Sequence, residues 1–313
     1  MRRNLSRIHS PIVLRFNPKG KTVEQHESFR AMDTDVDLIV VASDRPLLPF
    51  LEARLLFQQQ EARFSRFLEN SLVSRLNRGE IIADPWLDAV IPLALQAWAA
   101  TGGLFNPLIL PALAAAGYDR TFRQITSGAP RPLPPPDPRS AIEHTPNGWR
   151  LRQGRLDLGG IVKGWTADLA AEHLADACRA PAMVNAGGDI RCLGEETPGL
   201  AGWRLAIQHP SGDTAWEGTI THALATSTTL RRRWQTTDGR TAHHLIDPRT
   251  GLPAESPYVQ VSAIAPTCRE AEIWAKAVLI GGPETLDLAA TLHIATFAID
   301  THGGVHIGPG WPT

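Results

Sequence analysis

Val36, Leu38 and Val40 alternate with Asp37 and Ile39, the two-residue period of a strand with one buried face. The period then changes. From Pro49 to Phe64 the apolar positions Leu51, Leu55, Leu56 and Phe64 fit a helical stripe with no glycine to interrupt it. Leu87 to Ala100 predicts a second helix, bent at Pro92 and ended by Gly102 and Gly103. Short strands are expected at Gly148–Arg152 and Arg155–Leu158. A helix follows over Thr166–Cys178, with Leu169, Ala170, His173 and Leu174 on one side. Met183–Asn185, Trp203–Gln208 and Val259–Ala265 read as strands and Arg269–Ile280 as a helix. Ile294–Ile307 reads as a hairpin turning at His302-Gly303-Gly304. Strands and helices mix without a βαβ rhythm, so the expected class is α+β, with mixed sheets and flanking helices. There is no internal repeat.

Ser127 to Arg139 reads SGAPRPLPPPDPR, a composition that sustains neither a helix nor a central strand and predicts an exposed surface loop. With 313 residues, 43% of them hydrophobic, the chain can bury a large core and is not a disordered polymer. Its net charge of -1, from 31 basic and 32 acidic residues, carries no nucleic-acid footprint. Cys178, Cys192 and Cys268 show no CxxC spacing, which excludes a zinc knuckle and suits buried thiols in a reducing compartment. The basic N-terminus has no signal-peptide core, and no stretch reaches the roughly 18 apolar residues of a membrane span. A cytoplasmic protein is expected, with a partly disordered extension over residues 1–27 and one domain over 28–313.

Four segments have the backbone and side chains for chemistry. Leu156-Asp-Leu-Gly-Gly-Ile-Val-Lys-Gly164 runs from a strand through glycines to a lysine and a helix start, an arrangement that suits an anion. A tight strand-to-helix turn would have the same composition, and the Walker A spacing is missing. Asn185-Ala-Gly-Gly-Asp-Ile-Arg191 permits close backbone approach, or is a turn with a local Asp189–Arg191 pair. In His243-His-Leu-Ile-Asp-Pro-Arg-Thr-Gly251 a histidine precedes an aspartate by three residues. It is a general-base candidate in a turn-forming stretch, or a structural histidine. Glu272 and Lys276, four apart on a predicted helix, face the same way.

Together and in this order the segments resemble the ApbE family, the FAD:protein FMN transferases. Further segments carry the likeness: Ala31-Met-Asp-Thr34, Phe64-Ser-Arg-Phe67, Ser71-Leu-Val-Ser-Arg-Leu-Asn77, Gly103-Leu-Phe-Asn-Pro107 and Ala225-Thr-Ser227. The resemblance spans roughly Met32 to Ile280. It implies a flavin cleft between two subdomains, FAD as donor, and Mg²⁺ on its pyrophosphate. The acceptor would be a flavoprotein whose Thr or Ser hydroxyl attacks the phosphorus on the FMN side, releasing AMP. By motif position it implies flavin contacts at Met32, Phe67, Leu104, Phe105, Asn106, Asp157, Lys163 and Ile246. Catalytic roles would fall to His244, which activates the hydroxyl, and Asp247. Metal positions would be the Gly160 carbonyl, Glu272 and the Ala275 carbonyl.

The chain departs from the family pattern at Phe67 for tyrosine, Asn106 for aspartate and Asp33 for glycine. In the helix after Cys268, Glu272 and Lys276 replace the family's Asp and Thr of the metal site. An ammonium is no metal ligand. Either fewer protein groups hold the metal, or Lys276 replaces part of its charge, or the two form a plain helical pair. FAD hydrolysis to AMP and FMN, and FAD binding without catalysis, are the competing functions.

Overall fold

The computed structural model describes residues 12–14, 23–120, 125, 128–197, 199–237 and 239–312. Its centre is an eight-stranded sheet. From one edge to the other the strands are Val305–Ile307, Ala295–Asp300, Tyr258–Ala265, Ala223–Thr228, Asp189–Leu193, Ala182–Ala186, Thr34–Val41 and Glu24–Ala31. Every neighbouring pair is antiparallel. Among the described residues eight helices accompany it: α1 (Leu47–Phe64), α2 (Leu72–Asn77), α3 (Pro85–Ala100), α4 (Leu110–Ala115), α5 (Pro138–Ala141), α6 (Val162–Cys178), α7 (Cys268–Gly281) and α8 (Pro283–Thr291). None is long and apolar enough to cross a membrane.

The strand Thr34–Val41 shows how the layers arise. Val36, Leu38 and Val40 face a core built with Phe57 of α1, Leu174 of α6 and Val278 of α7. Ile39 and Val41 face the other way and are buried as well, against Trp203, Leu205 and Ile207. The expectation of one buried face is thus corrected. A second sheet, in which Ile12–Leu14, Trp203–Gln208 and Thr214–Ile220 pair antiparallel, is joined to that face by a shared apolar core. A strand covered on both sides loses the alternation that sequence reading depends on.

A third core joins α2, α3 and the hairpin Ile142–Thr145/Gly148–Leu151 to Leu156, Leu158 and Ile161 at the head of α6. Pro92 lies inside α3 as expected, and Asp84 caps that helix by accepting from Trp86 N–H. Met32 packs against both this core and the helix-side core. The consecutive residues Leu104 and Phe105 go one to each. The seam between the two cores is where the candidate site lies.

Two boundaries differ from expectation. Pairing reaches into the expected extension: Ile12–Leu14 registers with Leu205–Ile207 and Glu24 with Val41, so residues 12–14 and 24–27 lie in sheets. The proline-rich segment is not simply exposed. Its Leu133 packs beside Ile246, and Pro136 O accepts from Asn106 Nδ2 at 3.2 Å. Ser127 lies outside the described residues.

Candidate active site

Helices α6 and α7 touch where α6 has no side chain. A Cβ on Gly164 would lie 2.8 Å from Cys268 O and 2.9 Å from Arg269 N. Asp168, one turn on, accepts from the first two amides of α7, Cys268 at 2.7 Å and Arg269 at 3.0 Å, with Arg191 Nε at 3.5 Å. Burial pushes the Asp168 carboxyl up to about 6 despite these bonds. This packing sets Glu272 against the start of α6. Gly164→Ala is expected to destabilise the fold by about 1–3 kcal/mol, as overpacking does; an unchanged unfolding midpoint in urea would show that the helices can separate freely.

Glu272 is 1% exposed, and its two oxygens take different partners. Oε2 accepts from Gly164 N–H at 2.8 Å, and Oε1 accepts from Lys276 Nζ at 2.8 Å, with Lys163 Nζ 3.8 Å away. Burial opposes its ionisation, but Lys276 and Lys163 outweigh burial and hold the carboxyl below its ordinary value. Lys163 sits in the first turn of α6, donates to Ala186 O at 3.2 Å and pairs with Asp189. Desolvation takes its ammonium down to about 8, with Glu272 working in the opposite direction. A local Asp189–Arg191 pair does not form, because Arg191 reaches Asp168 and Pro266 O instead.

The hairpin before Thr34 approaches the same place. Met32 and Asp33 both have left-handed φ, 52° and 56°. Gly187 lets the neighbouring turn close against this hairpin, since a Cβ there would run into the Thr34 hydroxyl. Asp33 binds Arg30 at 2.8 Å through Oδ1 and lies 3.9 Å from Arg232 through Oδ2. Gly160 sits between Phe105 and Lys276: a Cβ on it would be 3.1 Å from the Phe105 ring and 3.7 Å from Lys276 Cε.

His244 completes the cluster. Its Nδ1 is buried and has no hydrogen-bond partner. Burial drives its pKa well below the ordinary value, and Arg232, His243, Lys276 and Lys163 add to the effect. The imidazole is therefore neutral and carries an unused lone pair or N–H. Its neighbour His243 is structural, with Nε2 on Ala254 O at 3.1 Å and Nδ1 accepting from Leu245 N–H at 3.3 Å.

The other expected residues are placed more diffusely. Asp157 Oδ1 accepts from Gly159 N–H at 2.7 Å, and Oδ2 pairs with Arg66 at 3.0 Å. Arg66 stacks over the rings of Phe67 and Tyr118 at 4.4 and 4.5 Å, leaving Phe67 37% exposed. Asn106 braces a turn, accepting from Leu108 N–H at 2.9 Å while donating to Pro136 O. An aspartate could not donate there. Ile246 packs with Leu113 and Tyr118. Asp247 is held within its own turn. Both its oxygens bind the Arg249 guanidinium, at 2.9 and 2.8 Å, and Oδ1 also accepts from Arg249 N–H, so its work is closing the turn. Sequence reasoning missed Arg66 and Arg232 and gave Asp189 the wrong partner; the Arg231-Arg232-Arg233 run was the available signal for Arg232.

The metal expectation does not suit this donor set. An ammonium occupies one Glu272 oxygen and an amide N–H the other. Ala275 is fully buried in the helix-side core. Among the described residues no group of three or more His, Cys, Asp or Glu is arranged to hold a metal ion.

The fold matches solved structures closely. The ApbE protein of Thermotoga maritima superposes with a TM-score of 0.82 at 21% identity, covering 92% of this chain and 97% of that one. The flavin transferase ApbE of Vibrio cholerae gives 0.78 at 20%, covering 92% and 98%. In sequence, the FAD:protein FMN transferase of Escherichia coli K12 is 34% identical over 133 residues, which is 41% of this chain and only 37% of that protein. The protein of the same name from Treponema pallidum is 29% identical over 258 residues, 74% of this chain and 71% of its own length. The family model described as ApbE matches residues 32–298. With the sheet, the seam and that match in agreement, the chain belongs to the ApbE family.

Proposed function

We propose that this protein transfers the FMN half of FAD to a Thr or Ser hydroxyl of an acceptor protein and releases AMP. The observation that carries this reading is the neutral His244 with its unpartnered, buried Nδ1, set among Lys163, Lys276 and Arg232. A ring nitrogen without a partner is available to take a proton, and the cations beside it suit a diphosphate. In the step, the acceptor oxygen forms a bond to the phosphorus on the FMN side. The bond from that phosphorus to the bridging oxygen breaks, and the electron pair leaves with AMP. The hydroxyl proton passes to His244. The flavin half would lie along Met32, Leu104 and Phe105 at the seam, with Phe67, Asp157, Asn106 and Ile246 towards the Arg66 side. Asp157 and Asn106 would shape the wall more than touch the ligand, because their polar atoms already have partners. Mg²⁺ enters no part of this step, because Glu272, the one side chain among its expected donors, already binds Lys276 and the Gly164 N–H. Three unpaired thiols suit a cytoplasmic location.

The test is incubation of the purified chain with FAD and candidate acceptor proteins, scoring AMP and flavin fluorescence that stays with the acceptor after denaturing electrophoresis. Equal amounts of both are expected. AMP with free FMN and no labelled protein would make this an FAD hydrolase instead.

A further inference from the structure

Three cations approach the seam from three separate elements, and their counter-ions hold them unequally. Lys163 comes from α6 and Lys276 from α7; they share Glu272, at 3.8 and 2.8 Å, and Asp189 takes the remaining charge of Lys163. Arg232 comes from the turn after the strand Ala223–Thr228. Its nearest carboxylate, Asp33, is 3.9 Å away and is already bound by Arg30 at 2.8 Å. The backbone of Arg232 is left-handed, with φ of 47°, a conformation that an arginine adopts only when the surroundings impose it. Its side chain is 32% exposed, so it lies partly against the protein. Its 3.9 Å approach to Asp33 puts the guanidinium at the turn beside Met32, the residue that packs on both cores at the seam.

Resting on the FMN-transfer reading, we propose that Lys163, Lys276 and Arg232 form a metal-free cationic seat for the FAD diphosphate, with Arg232 as the loosely held member that completes it when the ligand arrives. Physically, the seat replaces a divalent ion by fixed positive charges. Two ammonium groups are tied down through Glu272 and Asp189, and so keep their places without ligand. A guanidinium offers a planar fork of donors that fits two phosphate oxygens at once. Arg232 can leave Asp33 at little loss, because Arg30 remains to satisfy that carboxylate. A magnesium ion in the same space would face the two lysines, and its binding would be opposed by their charge.

The experiment measures FAD and riboflavin affinity of the full-length protein by fluorescence quenching, in EDTA and in millimolar MgCl₂. The proteins are the wild type, Arg232→Ala, Arg232→Lys and Lys276→Thr, with a melting temperature for each. Wild-type affinity for FAD is expected to be nearly the same in EDTA and in MgCl₂. Arg232→Ala and Lys276→Thr should each lose about 10- to 100-fold in FAD affinity in EDTA, the range for a charge-assisted contact. Riboflavin, which has no phosphate, should bind all four proteins alike, and Arg232→Lys should recover part of the loss. If wild-type FAD binding collapses in EDTA, or if either weakened variant loses riboflavin and FAD equally, the seat is not there. Because the readout needs neither acceptor nor turnover, it separates from the FMN-transfer reading. A protein that binds FAD without metal yet labels nothing keeps the seat and loses the function; one that labels acceptors only with magnesium does the opposite.

Discussion

Replacing His244 with alanine is expected to lower FMN transfer by about 10²–10⁴-fold while leaving FAD bound, the usual contribution of a positioned general base. The side chain makes no hydrogen bond through Nδ1, so its loss strips no partner from the surrounding fold. Single-turnover AMP release at saturating FAD, beside a direct FAD titration, separates the two effects. Wild-type rates in the variant would return His244 to a purely structural role. The pH dependence has a definite sign. Burial and the nearby cations depress the pKa of His244, so in the free protein the base stays unprotonated as the pH falls through 6.5. The acid limb of the rate per FAD and acceptor encounter should therefore lie below 6.5. A bound diphosphate brings negative charge to the same cluster and raises that pKa, so the limb should move to higher pH once FAD saturates the site.

The second large effect is on stability. Glu272→Leu should cost about 3–5 kcal/mol, because it removes the shared partner of two lysines beneath the protein surface. The N–H of Gly164 loses its acceptor as well. Adding Lys276→Leu to Glu272→Leu should return part of the loss, since the second change withdraws one of the stranded charges. Urea unfolding of the wild type and both variants measures this. A loss under 1 kcal/mol for the single change would mean that the lysines simply swing into water.

Much of this was legible along the chain, for identifiable reasons. The helices Leu47–Phe64, Pro85–Ala100 and Cys268–Gly281 begin or end within a few residues of their expected bounds, the last two marked by Asp84 and Thr267 caps; in the first the expected stripe is corrected, since Phe50, Ala53, Phe57 and Phe64 are buried while Leu51 and Leu55 face solvent. The C-terminal hairpin turned at His302-Gly303-Gly304, where the backbone needs a glycine. The strand Glu24–Ala31 was overlooked because Glu24, His26, Glu27 and Arg30 look like a solvated tail; only pairing with Thr34–Val41 makes them a strand. At the site, Lys163, Glu272 and His244 were picked out by the segments that resemble the ApbE family, where spacing alone left a structural reading open. What spacing could not give was partnership. Asp247 resembles a member of a catalytic pair, yet Arg249, two residues on, captures it. Arg232 was invisible because its role depends on a left-handed turn that brings it beside residues distant in sequence.

The order of the central sheet bears on how this protein behaves when crowded. A sheet of eight strands that does not close on itself leaves two unpaired margins, each a template for another chain. At one margin the outward positions of Glu24–Ala31 are His26, Ser28 and Arg30, which are polar and unwelcoming to an apolar strand. The other margin, Val305–Ile307, is only three residues long but exposes Val305 at 45% and Ile307 at 61%. Resistance to fibril-like association is thus uneven, strong at the charged margin and dependent on brevity at the other. A change such as His306→Val would remove the single polar residue there and turn the short margin into an adhesive one.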